Sequence, residues 1–131
     1  DRLRREAEGL PVRLVDFVPT TRPFLERADL VVCTGGYNTM VEALAFADRA
    51  LVIPRRMHRE EQRVRARRFA ELGLVATLDA ADAEPERLYA EVRALLDDPR
   101  RPLVEARDRG AVPLDGAQRF VDYCSRLELT V

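Results

Sequence analysis

Two short runs, "LVVC" (30–33) and "ALVIP" (50–54), are almost wholly apolar and largely β-branched, with a helix-patterned stretch between them. Such a run suits a strand covered on both faces, which is how strands of a parallel sheet are buried. "VRLVDFV" (12–18) and "LVATL" (74–78) are two further strand candidates. Helical patterns fall near 21–28, 37–47, 59–72 and 84–97, and the last two carry apolar stripes: Ala66, Phe69, Ala70 and Gly73, then Leu88, Val92, Leu95 and Leu96. Alternating strands and helices require right-handed crossovers. They predict an α/β chain with a Rossmann-like three-layer parallel sheet and helices on both faces.

With 131 residues, 47% of them hydrophobic, the chain can build one sizeable core and reads as a single domain over 1–131. The opening "DRLRREAEGL" resembles the end of a helix more than a signal peptide. Towards the other end, "DDPRRPL" and "RGAVPLDG" are turn-rich and show no strand pattern. A C-terminal helix is expected within 112–131. Asp115 and Gln118 fit a capping box there, and Ala117, Phe120, Val121, Cys124 and Leu127 share one face. That helix could pack on this domain or reach a neighbouring one.

Several classes of function lose support from composition. A formal net charge of −1 argues against nucleic acid as a partner, because polyanion binding runs on excess basic charge. All 22 basic residues are arginine, which reads as compositional bias. Cys33 and Cys124 match no metal or redox spacing, and buried free thiols in a reducing cytosol are expected. No apolar run is long enough for a transmembrane segment.

In open α/β sheets, ligands bind beyond the carboxyl ends of the strands. After "LVVC" come Thr34, Gly35 and Gly36, and then the helix. Glycines there admit a ligand to the backbone, and the unpaired N–H groups of a first helical turn favour an anion such as phosphate. Thr39 and Glu42 leave two readings open. They fit a capping box, S/T-x-x-E, and Glu42 could instead accept hydrogen bonds from a sugar diol. In the third loop, "PRRMHREEQRVRARRF", Glu60 and Glu61 suit a first helical turn, and Gln62 can both donate and accept as sugar hydroxyls require. His58, the sole histidine, has no obvious orienting acid, so no nucleophilic triad is assembled.

The order and spacing of the "DFVP" turn, the "ADLVVC" strand, the Gly/Thr/Glu helix start, the "VIP" strand and the trailing glutamine resemble a known pattern. It is that of the glycosyltransferase family 28 C-terminal domain, the donor-binding half of GT-B glycosyltransferases, in its MurG-like group. The similarity covers about residues 12–78, with a plausible tail beyond. By that resemblance Phe17 and Val18 sit where the nucleobase pairs with backbone. Gly35, Gly36, Tyr37, Asn38 and Thr39 fall at the diphosphate turn, with Thr34 also among the donor-binding residues, Glu42 grips the ribose, and Glu61 and Gln62 select the donor sugar, with His58 in the same loop. The implied ligand is a nucleotide-diphospho-sugar, UDP-linked by expectation, with no cofactor and no metal. The implied partner is an N-terminal acceptor domain of the same protein, which would hold the catalytic base. The reaction would be an inverting, metal-independent glycosyl transfer in the cytoplasm, with membrane association through that acceptor domain, and this portion alone would be inactive.

The pattern also departs from its relatives. Glu61–Gln62 replaces the usual Asp-Gln or Gln-Gln. Ala47, Asp48 and Arg49 stand where Gly-x-Pro is usual, so that turn must be solved differently. Thr34 replaces the histidine of plant and macrolide-type enzymes, and the strand and glycine-rich loop that open this half in relatives are not seen. The donor half of a nucleotide-sugar hydrolase or epimerase would read alike, and a non-catalytic interaction domain is a third reading, disfavoured by Thr39, Glu42 and Gln62.

Overall fold

The computed structural model describes residues 2–55 and 60–126. Three parallel strands form one sheet in the order β1 (Val31–Cys33), β2 (Ala50–Val52), β3 (Ala76–Thr77). Val31 pairs with Ala50 and Cys33 with Val52, and Leu51 pairs with Ala76 on the other side. Seven helices accompany the described strands: α1 (Arg2–Glu6), α2 (Arg22–Leu25), α3 (Tyr37–Phe46), α4 (Glu60–Glu71), α5 (Pro85–Asp97), α6 (Pro102–Asp108) and α7 (Gly116–Arg126). The architecture is the expected α/β, Rossmann-like one.

Ala50, Leu51 and Val52 are all buried although successive side chains of a strand point to opposite faces. β2 is therefore covered on both sides, as its unbroken apolar run predicts. Met40, Ala43 and Leu44 of α3, Ala66 of α4, and Leu103 and Ala106 of α6 close over it. Each fully buried Met, Leu or Val there stabilises the fold by about 1.5–3 kcal/mol. Phe69 and Ala70 pack against this core as the stripe on α4 predicts, whereas α5 buries none of its residues.

The segment 12–18 is not a strand, contrary to its pattern. A strand needs a neighbour to take its backbone hydrogen bonds, and among the described residues none lies beside it. Val12, Leu14, Val15 and Phe17 are exposed, and so is half of Val32 on β1, whose outer edge is unpaired among the described residues. The 21–28 pattern shortens to the single turn of α2.

α6 was not expected from "DDPRRPL". Its second proline opens the helix at a first-turn position that needs no N–H, so a residue that reads as a breaker is a starter. The turn after α3 is closed by arginines. Arg107 donates to the Leu44 and Ala47 carbonyls at 3.0 and 2.7 Å, satisfying acceptors that the helix end leaves open. Arg49 donates to the carbonyls of Asp98, Arg100 and Asp29 at 2.8, 3.0 and 3.2 Å, so one side chain joins the entry of β2 to two other segments.

α7 buries none of its residues, and Phe120 and Val121 on its apolar face are exposed. The Asp115–Gln118 capping box does not form: Asp115 pairs with Arg119 at 2.8 Å, and Gln118 donates onward to Asp122 at 2.9 Å. No helix among the described residues is long and apolar enough to cross a membrane.

Candidate functional site

The carboxyl ends of the strands gather the loops that the sequence singles out. β1 ends at Cys33, and Ile53 N–H donates to its carbonyl at 2.8 Å, which keeps β2 aligned to its last residue. Thr34 is exposed, and Gly35 then turns the chain with φ +75°, a left-handed conformation natural to glycine. A Cβ at Gly35 would lie 2.8 Å from Val52 Cγ1 and 3.8 Å from the Gln62 carbonyl oxygen. The turn therefore sits directly on β2 and on the first turn of α4. At Gly36, by contrast, a Cβ would meet open space.

Gly36 is the N-cap of α3, and its carbonyl accepts the first intrahelical bond from Met40 N–H at 2.9 Å. No side chain caps this end. The N–H groups of Tyr37, Asn38 and Thr39 consequently have no acceptor among the described residues. Thr39 is the third residue inside the helix and Glu42 the sixth, so the capping-box alternative is not realised. Both lie too far along the helix to close it.

Glu42 has another partner. It is half-buried, and Thr21 Oγ1 donates to its Oε2 at 2.9 Å. Thr21 follows the "DFVP" turn and is the N-cap residue of α2, which packs on α3 with the Arg22 guanidinium 4.8 Å from the centre of the Phe46 ring. The first loop thereby reaches the second. Val18, in that loop, is half-buried, while Phe17 is 81% exposed.

The third loop reaches the second from the opposite side. Among the described residues Gln62 is the one buried polar side chain, at 8% exposure. Its Oε1 accepts from the Arg55 N–H at 3.4 Å, and its Nε2 has no acceptor among the described residues. One helical turn on, Arg65 Nη1 donates to the Gly35 carbonyl at 2.8 Å. Glu61 is exposed, and His58 lies outside the described residues. A separate cleft of about 410 Å³ opens on the far flank of α4 between Pro54, Arg63, Thr77 and Asp79, and neither Gly35, Glu42 nor Gln62 lines it.

Cys33 lies beneath this turn without the character of a nucleophile. Burial pushes its thiol above the usual cysteine range, outweighing a hydrogen bond with the Gly35 backbone that pulls the other way.

Thr21 and Arg65 were missed in the sequence. Thr21 sits in "PTTRP", where no pattern marks one threonine. Arg65 is one of four arginines in α4, and its only signal is its place three residues after Gln62, on the same helical face.

The chain is 31% identical over 132 residues to a UDP-N-acetylglucosamine–N-acetylmuramyl-(pentapeptide) pyrophosphoryl-undecaprenol N-acetylglucosamine transferase of an Anaeromyxobacter species, covering 94% of this chain and 35% of that protein. It is 33% identical over 106 residues to an uncharacterized glycosyltransferase of Methanosarcina mazei, covering 80% and 27%. The crystal structure of the glycosyltransferase VinC in complex with dTDP superposes with a TM-score of 0.70 at 28% identity, over 95% of this chain and 32% of that one. The chain thus spans about a third of the length of these relatives. A family model described as the glycosyltransferase family 28 C-terminal domain matches residues 2–120, and the chain belongs to that family.

Proposed function

We propose that this chain is the donor-binding half of an inverting glycosyltransferase and holds a nucleoside-diphosphate sugar at the open end of α3. One observation carries the reading: three loops separate in sequence are tied together around that helix end, through Thr21–Glu42 on one side and through Gly35, Gln62 and Arg65 on the other. The relatives' names supply the ligand class, since one uses UDP-N-acetylglucosamine and another was crystallised with dTDP.

On this reading the N–H groups of Tyr37, Asn38 and Thr39, together with the helix dipole, take the diphosphate. Glu42 accepts from the ribose hydroxyls, held in place by Thr21. The Nε2 of Gln62 donates to a hydroxyl of the sugar. As the bond from the anomeric carbon to the diphosphate oxygen breaks, negative charge grows on that oxygen, and the same N–H groups stabilise it without a metal. The attacking acceptor and its base belong to a second domain of a longer protein. The edge of β1, unpaired among the described residues, and the exposed apolar side chains of 12–18 support the view that this half is completed by further chain. Alone it binds donor weakly and turns nothing over.

Titration of the protein with UDP and dTDP, followed by amide chemical shifts, tests the reading. Shifts concentrated at 34–42 are expected, and Glu42→Ala should weaken UDP while affecting inorganic pyrophosphate little. Absence of any shift with either nucleotide at millimolar concentration would overturn it.

A further inference from the structure

We propose that Arg65 is an anion-binding residue of this site, its guanidinium pairing with the nucleotide's diphosphate while its bond to Gly35 fixes the turn. The inference rests on the donor-site reading above and assigns within it the side chain that carries the positive charge. Arg65 is half-buried, with one N–H on the Gly35 carbonyl at 2.8 Å and its guanidinium carbon 5.7 Å from the ring centre of Tyr37, the first residue of α3. It therefore stands beside the N–H groups of the helix end that have no acceptor among the described residues.

Its neighbours on α4 are occupied elsewhere. Arg63 pairs with Asp79 at 3.7 Å, and Arg67 and Arg68 pair with Glu71 at 2.9 and 3.1 Å. Among the described residues no carboxylate pairs with Arg65. A cation at the amino end of a helix is repelled by the helix dipole, which favours anions there. A half-buried arginine in that position, with no carboxylate partner among the described residues, leaves a local excess of positive charge that an incoming diphosphate would neutralise. The guanidinium has five N–H donors in a planar fork, and the Gly35 carbonyl uses one. The fork suits two phosphate oxygens at once, a geometry that lysine cannot supply.

The test compares the chain with its Arg65→Gln and Arg65→Lys forms, titrated with UDP and with uridine at two salt concentrations. Arg65→Gln should bind UDP about tenfold more weakly, as expected for loss of charge-assisted bonds. Its uridine shifts should be unchanged, and its UDP affinity should fall less steeply with salt than that of the parent. Arg65→Lys should keep the parent's salt dependence and recover only part of the affinity. If Arg65→Gln binds UDP as the parent does, with the same salt dependence, this inference is overturned and the donor site stands. If UDP and uridine weaken equally and the ligand-free amide signals of 35–39 move, Arg65 only braces the turn and the anion role is overturned. If the parent binds neither UDP nor dTDP, the donor-site reading falls, and this inference with it.

Discussion

Thr21 Oγ1 donates to Glu42 Oε2 at 2.9 Å across twenty-one residues of chain, so the loop before α2 orients a carboxylate on α3. Thr21 is also the N-cap residue of α2 but makes no cap bond with its side chain. Thr21→Val should therefore leave the helix end and the overall stability within about 0.5 kcal/mol of the parent. What it removes is the bond that holds Glu42 in one rotamer. An exposed hydrogen bond of this kind is worth about 1 kcal/mol, so UDP affinity should fall about fivefold by calorimetry. The loss should be smaller for a 2′-deoxynucleotide, which offers Glu42 one hydroxyl fewer. Equal losses for both nucleotides would separate Glu42 from the ribose.

Gly35 and Gly36 are adjacent in sequence and opposite in what they tolerate. An alanine at Gly35 combines a left-handed φ of +75° with a Cβ 2.8 Å from Val52 Cγ1, a fully buried strand side chain that has little room to yield. The conformational cost of about 1–2 kcal/mol adds to an overpacking cost of about 1–3 kcal/mol. Urea unfolding of Gly35→Ala should show a loss of about 2–5 kcal/mol. Gly36→Ala, with φ −57° and open space around the new methyl, should lose less than about 1 kcal/mol.

The same two glycines show how far the sequence could be read. The pair after an apolar strand located the turn, and the buried runs of β1 and β2 located the sheet, because periodicity and burial are properties of a local stretch. The job of each glycine depended on Val52 and Gln62, which lie far along the chain. Thr39 and Glu42 illustrate the converse. Their spacing fits a capping box, but the helix starts at Tyr37, three residues earlier than a box closed by Thr39 would require. In 12–18 the apolar, strand-like pattern was real, and the missing element was a neighbour to pair with among the described residues. Likewise, nothing local separates Arg65 from the arginines around it. Its distinction is the absence of a carboxylate partner among the described residues, and that is a fact of three-dimensional arrangement.

Arg49 should be among the arginines most important to stability. Its guanidinium satisfies carbonyls of Asp29, Asp98 and Arg100, and so binds the start of β2 to the loop before β1 and to the link between α5 and α6. Arg49→Ala should cost about 2 kcal/mol or more, since bonds from a charged donor exceed neutral ones and three acceptors lose a partner together. Arg49→Lys should recover less than half of that, because an ammonium cannot span three carbonyls in the guanidinium plane. Chemical denaturation of the two variants beside the parent checks both the loss and the incomplete rescue.

Acid should weaken the same link through Asp98. Its carboxylate accepts from the Arg100 backbone N–H at 2.9 Å and from the Arg100 guanidinium at 2.6 Å, and these bonds hold its pKa down to about 2. A carboxyl more acidic in the folded than in the unfolded state stabilises the fold fully above its unfolded value, near 4. That contribution declines as pH falls towards 2 and is gone below it. Asp98→Asn keeps an acceptor for the Arg100 N–H but cannot ionise. The parent should therefore melt above the variant at pH 6, and the gap between their melting temperatures should shrink steadily from about pH 4 to pH 2. A gap that stays constant across that interval would mean that the Asp98 charge contributes nothing to the folded state.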